Sequence, residues 1–153
     1  MSAVPIAQMH YRRMRAGDLA EVARLEKSLY EFPWSLGNFR DSLGAGYECW
    51  VVAQGEAVIG YAILMVALDE AHLLNFAVAS EWQNQGIGRA FLAQLVEVAR
   101  QAGAQIIYLE VRPSNTAARH LYRRMGFQQI AIRPEYYPAR SGREDALFLG
   151  LTL

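Results

Sequence analysis

The chain has a single cysteine, Cys49. That excludes an intramolecular disulfide and removes any need for an oxidising compartment. It has a single lysine, Lys27, so its cationic groups are almost all arginine. It has no formal net charge, with fifteen Lys and Arg against fifteen Asp and Glu. A domain built to coat nucleic acid usually carries a strong basic excess, so that class is disfavoured. The longest apolar stretch, residues 57–68, is interrupted by Gly60 and falls short of the roughly 18 residues that span a bilayer. Residues 1–15 lack the charged-then-apolar order of a secretion signal. Repeats, low-complexity tracts and Pro/Gly-rich linkers are missing as well. The expectation is one domain over residues 1–153, soluble and cytoplasmic, with no membrane, nucleic-acid or metal partner.

What is present is a globular composition, 53% hydrophobic and 20% charged. The neutral total hides an asymmetry. Residues 1–85 carry 6 basic and 10 acidic groups, a net of −4, and residues 86–153 carry 9 and 5, a net of +4.

Along the chain, a short strand is expected at 8–13, followed by a helix whose apolar residues Leu19, Val22, Leu25 and Leu29 recur near the helical period. Asp18 and Glu21 have the spacing of a capping box at its start. Phe32-Pro33-Trp34 breaks it, and Ser35 can cap a second short helix that ends at Gly44-Ala45-Gly46. Strand-like runs follow at 48–53, 58–67 and 72–78, the first two joined by a turn containing Gly55. Cys49, inside the first of these, reads as a packed thiol and not a nucleophile. A helix is expected over 86–102, a buried strand over 106–111, and a helix capped by Ser114 or Asn115 that runs to Met125. Strands at 127–132 and 146–153 close the chain, with Tyr136-Tyr137-Pro138 in the loop between them. This order predicts a mixed α/β fold: an antiparallel meander, then two β-α-β units with parallel pairing.

Gln83-Asn84-Gln85-Gly86-Ile87-Gly88-Arg89 lies between a strand and a helix. Glycines let the backbone approach a ligand, and the first helical N–H groups have no partner within the helix, so a diphosphate is a natural occupant. A turn that merely starts a helix accounts for the glycines equally well. A dinucleotide site fits less well. Phe91 stands at its third glycine position, and residues 79–85 separate the strand end from Gly86, where a dinucleotide loop would follow tightly.

The loop resembles the Q/R-x-x-G-x-G/A signature of the GNAT superfamily of N-acetyltransferases, and the strand order together with Asn115 and Tyr122 extends the resemblance over essentially the whole chain. It implies a GNAT-like α/β domain: a central, mostly antiparallel sheet with one splayed strand pair, flanked by about four helices. It implies acetyl-CoA as acetyl donor, with the backbone of Phe76, Ala77 and Val78 pairing the pantetheine arm. Asn84, Gln85, Gly86, Ile87, Gly88 and Arg89 would hold the diphosphate, and Arg119, Arg123 and Arg124 add positive charge close by in sequence.

Glu110 ends the apolar run 106–109, where burial would raise its proton affinity; an ion-paired strand-end acid, with Arg112 as partner, is the plainer reading. Tyr122 lies seven residues after Asn115, two helical turns on one side, and ordinary core packing would also explain it. Residues 109–115 with Leu121-Tyr122 and Gly126-Phe127 resemble the ribosomal-protein-alanine branch of the superfamily. That resemblance makes Glu110 the proton acceptor, Tyr122 the donor to the departing thiolate, and Asn115 a cofactor contact. Phe32 and Trp34, with Tyr136 and Tyr137, resemble the segments that flank the peptide site in N-terminal acetyltransferases. Glu31 beside them would face a basic peptide.

The implied reaction moves acetyl from acetyl-CoA to a protein α-amine, that of the eighteenth small-subunit ribosomal protein, by direct attack. An α-amine has a reference pKa of about 7.7–8.0, against about 10.4 for lysine, so a modest base suffices. A small-molecule amine as acceptor, or a non-catalytic acyl-CoA-binding module, are the alternatives.

Overall fold

In the computed structural model, which describes residues 8–153, the chain runs β1 (His10–Arg13), α1 (Leu19–Leu29), α2 (Leu36–Gly44), β2 (Glu48–Gln54), β3 (Ala57–Ala67), β4 (Glu70–Val78), α3 (Ile87–Gln101), β5 (Ile106–Val111), α4 (Thr116–Arg124), β6 (Gln128–Pro138) and β7 (Arg143–Thr152). Single 3-10 turns occupy Ala16–Asp18 and Ser80–Trp82. All seven strands join one sheet in the order β1-β2-β3-β4-β5-β7-β6, with only the β4–β5 pair parallel. This is the mixed, mostly antiparallel α/β sheet with four helices that the sequence predicts. Among the described residues no helix is long and apolar enough to cross a membrane.

The sheet buries both faces. Val22, Leu25 and Phe39 of α1 and α2 pack with Val51, Tyr61 and Ile63 on one side. Phe91 and Leu95 of α3 and Tyr122 of α4 pack with Ile107, Leu109 and Val111 on the other. The period-2 alternation of strands produces this division: Ile107, Leu109 and Val111 face α3, while Tyr108 and Glu110 face the opposite way.

β4 departs from that rule. Ile63 of β3 faces Asn75 but Leu64 faces Leu73, so Leu74 is one extra residue in β4. Such a bulge bends its strand and increases the local twist. Pairing with β5 stops at His72↔Tyr108, just before the bulge. Beyond it β4 is held by β3 alone, and the two parallel strands part. This is the expected splay, with its cause in an inserted residue.

Four expectations need correction. Asp18 does not cap α1; its carboxylate accepts from the Arg15 N–H at 2.8 Å and from Arg12 at 2.7 and 2.9 Å, and Glu21 pairs with Arg24 instead. The second β-α-β unit makes no parallel pair, because β7 inserts between β5 and β6. Tyr136-Tyr137-Pro138 belong to β6, which continues past an irregularity at Glu135 (φ 52°). Asp145 accepts from the Glu135 N–H, and Arg143 donates to the Glu135 and Tyr136 carbonyls. These side chains of β7 carry the strand onward, and they start β7 at Arg143, ahead of the apolar run from Ala146. The cap at Ser35 is as expected: Ser35 Oγ accepts from the Asn38 N–H at 3.1 Å, and Asn38 Oδ1 accepts from the Ser35 N–H at 2.9 Å.

Gly60 of β3 lies between Val52 of β2 and Val78 of β4. A Cβ there would lie 2.7 Å from Val52 Cγ1 and 2.8 Å from the Ala77 carbonyl oxygen. Backbone cannot yield as a flexible side chain can. Gly60→Ala is therefore expected to cost about 1–3 kcal/mol, the range of core overpacking, read as a lowered midpoint in urea unfolding.

Candidate functional site

The parting strands open a cleft of about 1060 Å³. Its walls come from both faces of the sheet, which is why residues far apart in sequence meet there. Phe76, Ala77, Val78, Asn84, Gly86, Gly88, Arg89, Glu110, Asn115 and Tyr122 line it, with Phe32, Trp34 and Tyr137. Three predicted residues fall outside. Ile87 turns its side chain into the core, with 1% exposed. Gln85 reaches back to the Glu81 carbonyl. Tyr136 is exposed and packs edge-on against Tyr137 with ring centres 4.8 Å apart.

The open edge of β4 forms one wall. Ala79 donates to the Ile59 carbonyl, so alternation turns the backbone groups of Ala77 toward β3 and those of Phe76 and Val78 toward the cleft. Two carbonyls on that edge already have donors: Tyr30 Oη reaches the Phe76 oxygen at 3.4 Å and Gln83 Nε2 the Val78 oxygen at 2.9 Å. Ala77, predicted to pair a ligand, lines the cleft but spends its backbone on β3.

At the end of this wall, Gly86 adopts a left-handed φ of 82° and α3 begins with no side chain capping its first N–H groups. Asn84 is left-handed too, at φ 61°. A Cβ on Gly88 would make only ordinary contacts, 3.6 Å to Leu121 and 3.8 Å to Val78. Protein packing therefore does not demand glycine there; open backbone facing the cleft is what it provides. Arg89 and Arg124 line the same region, whereas Arg119 donates to the Pro113 carbonyl.

Glu110 and Tyr122 enter from opposite faces of the sheet. Glu110 sits two residues beyond the last β4–β5 pair, with its side chain 9% exposed. His72 Nε2 lies 2.5 Å from Glu110 Oε2, and Arg133 lies 3.7 Å from Oε1. Arg112, the partner expected from sequence, binds Glu144 at 3.2 Å and the Pro138 carbonyl at 2.9 Å, and lies over the Tyr137 ring at 4.4 Å. Tyr122 is almost fully buried against Phe76 and Phe127. Burial pushes its phenol well above the ordinary tyrosine range, and the neighbouring Tyr30 and Tyr137 push it further. Tyr30 is itself pushed up to about 12, by burial and then by the charge of Glu26. Asn115 Oδ1 accepts from the Ala118 N–H at 3.2 Å, so this residue both caps α4 and offers the cleft its amide N–H groups.

Glu31 also lines the cleft, and Arg140 lies 3.3 Å from its carboxylate in an exposed pair. Cys49 lies outside the cleft with 2% exposed, and burial pushes its thiol up to about 11. Among the described residues, no cluster of three or more His, Cys, Asp or Glu could hold a metal.

His72, Asn75 and Glu26 were missed by the sequence reading. His72 and Asn75 are polar interruptions of an apolar strand, and Glu26 lies on the apolar stripe of α1, next to Leu25. Those signals were available.

A cleft between parted parallel strands, lined by an uncapped helix start, a buried phenol and a carboxylate, has the parts that acyl transfer needs. The chain belongs to the acetyltransferase (GNAT) family, whose model matches residues 18–127. It is 40% identical over 136 residues to the [ribosomal protein bS18]-alanine N-acetyltransferase of Escherichia coli K12, spanning 89% of this chain and 92% of that one. The Haemophilus influenzae enzyme of the same name is 35% identical over 142 residues, spanning 92% and 97%. The crystal structure of the ribosomal-protein-S18-alanine N-acetyltransferase from Escherichia coli superposes with a TM-score of 0.88 at 38% identity, covering 94% of this chain and 93% of that one.

The His72–Glu110 contact holds the carboxylate at the fork of the sheet. His72→Leu removes the donor and is expected to lower kcat while leaving the KM for the acyl donor unchanged, measured in steady-state transfer assays.

Proposed function

We infer that this chain transfers the acetyl group of acetyl-CoA to the N-terminal α-amine of a protein, namely the N-terminal alanine of ribosomal protein bS18. The observation that carries the reading is the placement of Glu110 and Tyr122 on either side of one cleft in a chain 35–40% identical to enzymes of that name. The whole chain serves as one catalytic domain and works in the cytoplasm, where ribosomal proteins are made; neither nucleic acid nor a membrane takes part.

The donor's shape fits the cleft. The open β4 edge offers Phe76 and Val78 to an extended amide-bearing arm, as a neighbouring strand would. The uncapped start of α3, with Gly86 and Gly88, suits a diphosphate, and Arg89 and Arg124 suit its negative charge. Bound there, acetyl-CoA supplies an activated acetyl group at the fork.

The chain's own residues handle the protons. Glu110, held by His72 and Arg133, accepts a proton from the incoming amine, directly or through one water. An α-amine needs only a modest base because an appreciable fraction is already neutral near pH 7. Tyr122 donates to the departing sulfur. Its raised pKa keeps the phenol protonated through neutral and mildly alkaline pH, so the donor does not titrate away as the amine becomes neutral. Phe32, Trp34 and Tyr137, at the mouth on the Glu110 side, form the peptide wall. Transfer is direct, since Cys49 is buried, away from the cleft and largely un-ionised at neutral pH.

Incubated with labelled acetyl-CoA, a bS18 N-terminal peptide with free alanine is expected to gain one acetyl group, placed by mass spectrometry on the α-amine. Label on a lysine side chain, or preferred turnover of polyamines, would replace this acceptor assignment. Glu110→Gln and Tyr122→Phe are each expected to lower kcat on the order of 10²-fold, within the span of general acid–base catalysis, with little change in acetyl-CoA binding by calorimetry. Cys49→Ala should retain full transfer; loss of it with fold intact would point to an acetyl-enzyme.

A further inference from the structure

Glu26 is a carboxylate in the wrong place for a surface acid. It sits on the apolar face of α1, 3% exposed, yet lines the cleft. Three donors and no acceptor surround it. Tyr61 Oη donates to Oε1 at 2.8 Å, Asn75 Nδ2 to Oε1 at 3.2 Å, and the Trp34 backbone N–H to Oε2 at 3.0 Å. An acceptor-only group matches such a set, and an amide in its place would aim an N–H at one of the donors.

These contacts close a ring. Trp34 packs on Phe39 with ring centres 5.2 Å apart, and Phe39 meets Tyr61 edge-on at 5.7 Å. Tyr61 then returns to Glu26 through its hydroxyl. The turn 32–34, which leaves α1 and has no regular structure of its own, is thereby held twice at Trp34: its backbone by Glu26 and its indole by Phe39. Asn75 ties the same carboxylate to β4 beside the bulge, on the stretch that has parted from β5.

We propose that Glu26 is a positioning residue for the acceptor: through Trp34 and Asn75 it sets the width of the peptide half of the cleft. The proposal rests on the reading of that half as the peptide site. The donor half is built from the β4 edge at Phe76 and Val78, the α3 start and Arg89; of the three bonds only that of Asn75 touches it, through the side chain next to Phe76, and the other two lie wholly outside it.

The test is steady-state kinetics of the full chain with acetyl-CoA and an N-terminal alanine peptide, varying each substrate in turn. Glu26→Gln is expected to raise the peptide KM about tenfold, with kcat and the acetyl-CoA KM within about twofold of the parent. Tyr61→Phe removes one of the three hydrogen bonds from a core residue outside the cleft, and should raise the peptide KM about threefold with the same selectivity. Thermal melts by circular dichroism establish that each variant is folded at the assay temperature. If Glu26→Gln does not fold, Tyr61→Phe decides alone. A peptide KM unchanged in the folded variants, or an acetyl-CoA KM that rises in step with it, overturns the proposal. Failure of the parent chain to acetylate any peptide would instead overturn the acceptor reading, so the two failures are distinct.

Discussion

The structure depends on two parallel strands that stop pairing. β4 and β5 are joined only through His72↔Tyr108, and one extra residue at Leu74 turns β4 aside. A parted strand carries unsatisfied backbone groups, which are costly wherever water is excluded. Here Tyr30 and Gln83 satisfy two carbonyls, and an extended ligand can pair with what remains. The same parting lets Glu110, from one face of the sheet, and Tyr122, from the other, reach a common space. Glu110 comes from β5 and Tyr122 from α4, and a sheet closed at this point would keep them apart.

Around that gap, carboxylates hold the irregular segments in place. Glu144 accepts from Ser114 and Arg112, which ties the turn after β5 to β7, and Arg112 in turn covers Tyr137 and Phe32 at the mouth. Glu26 does the same for the turn after α1, and His72 with Arg133 does it for Glu110 itself. These differ in kind from the exposed Arg24–Glu21 pair, one turn apart on α1, where solvent and side-chain freedom leave little net stabilisation. Each anchored acid has partners from other elements of the fold, so each defines a distance across the cleft.

Much of this was legible in the residues. The glycine loop, the helix caps at Ser35 and Asn115, and the alternation of Ile107, Leu109 and Val111 are local signals, and the structure follows them. Phe32, Trp34, Glu110, Tyr122 and Tyr137 do meet in one cleft. What escaped was non-local. The partner of Glu110 is His72, 38 positions away, and not Arg112, because β4 lies beside β5 only in the folded sheet. β6 runs on through Tyr136-Tyr137-Pro138 because Asp145 and Arg143 of the next strand hold its backbone, which no periodicity within β6 reports. The bulge is silent for a related reason: an extra residue becomes visible only against the strand it faces.

The scarcity of lysine takes on meaning beside the cleft. Its cationic lining is arginine: Arg89, Arg112, Arg124 and Arg140. Guanidinium groups attract an anionic donor as well as ammonium groups do, but they remain protonated and are poor nucleophiles toward a thioester. Lys27, the one lysine in the sequence, projects from the exposed side of α1 and does not line the cleft. Among the described residues, the cleft presents no lysine amine to an acyl donor bound in it. The acetyl group is kept for an amine that arrives from outside.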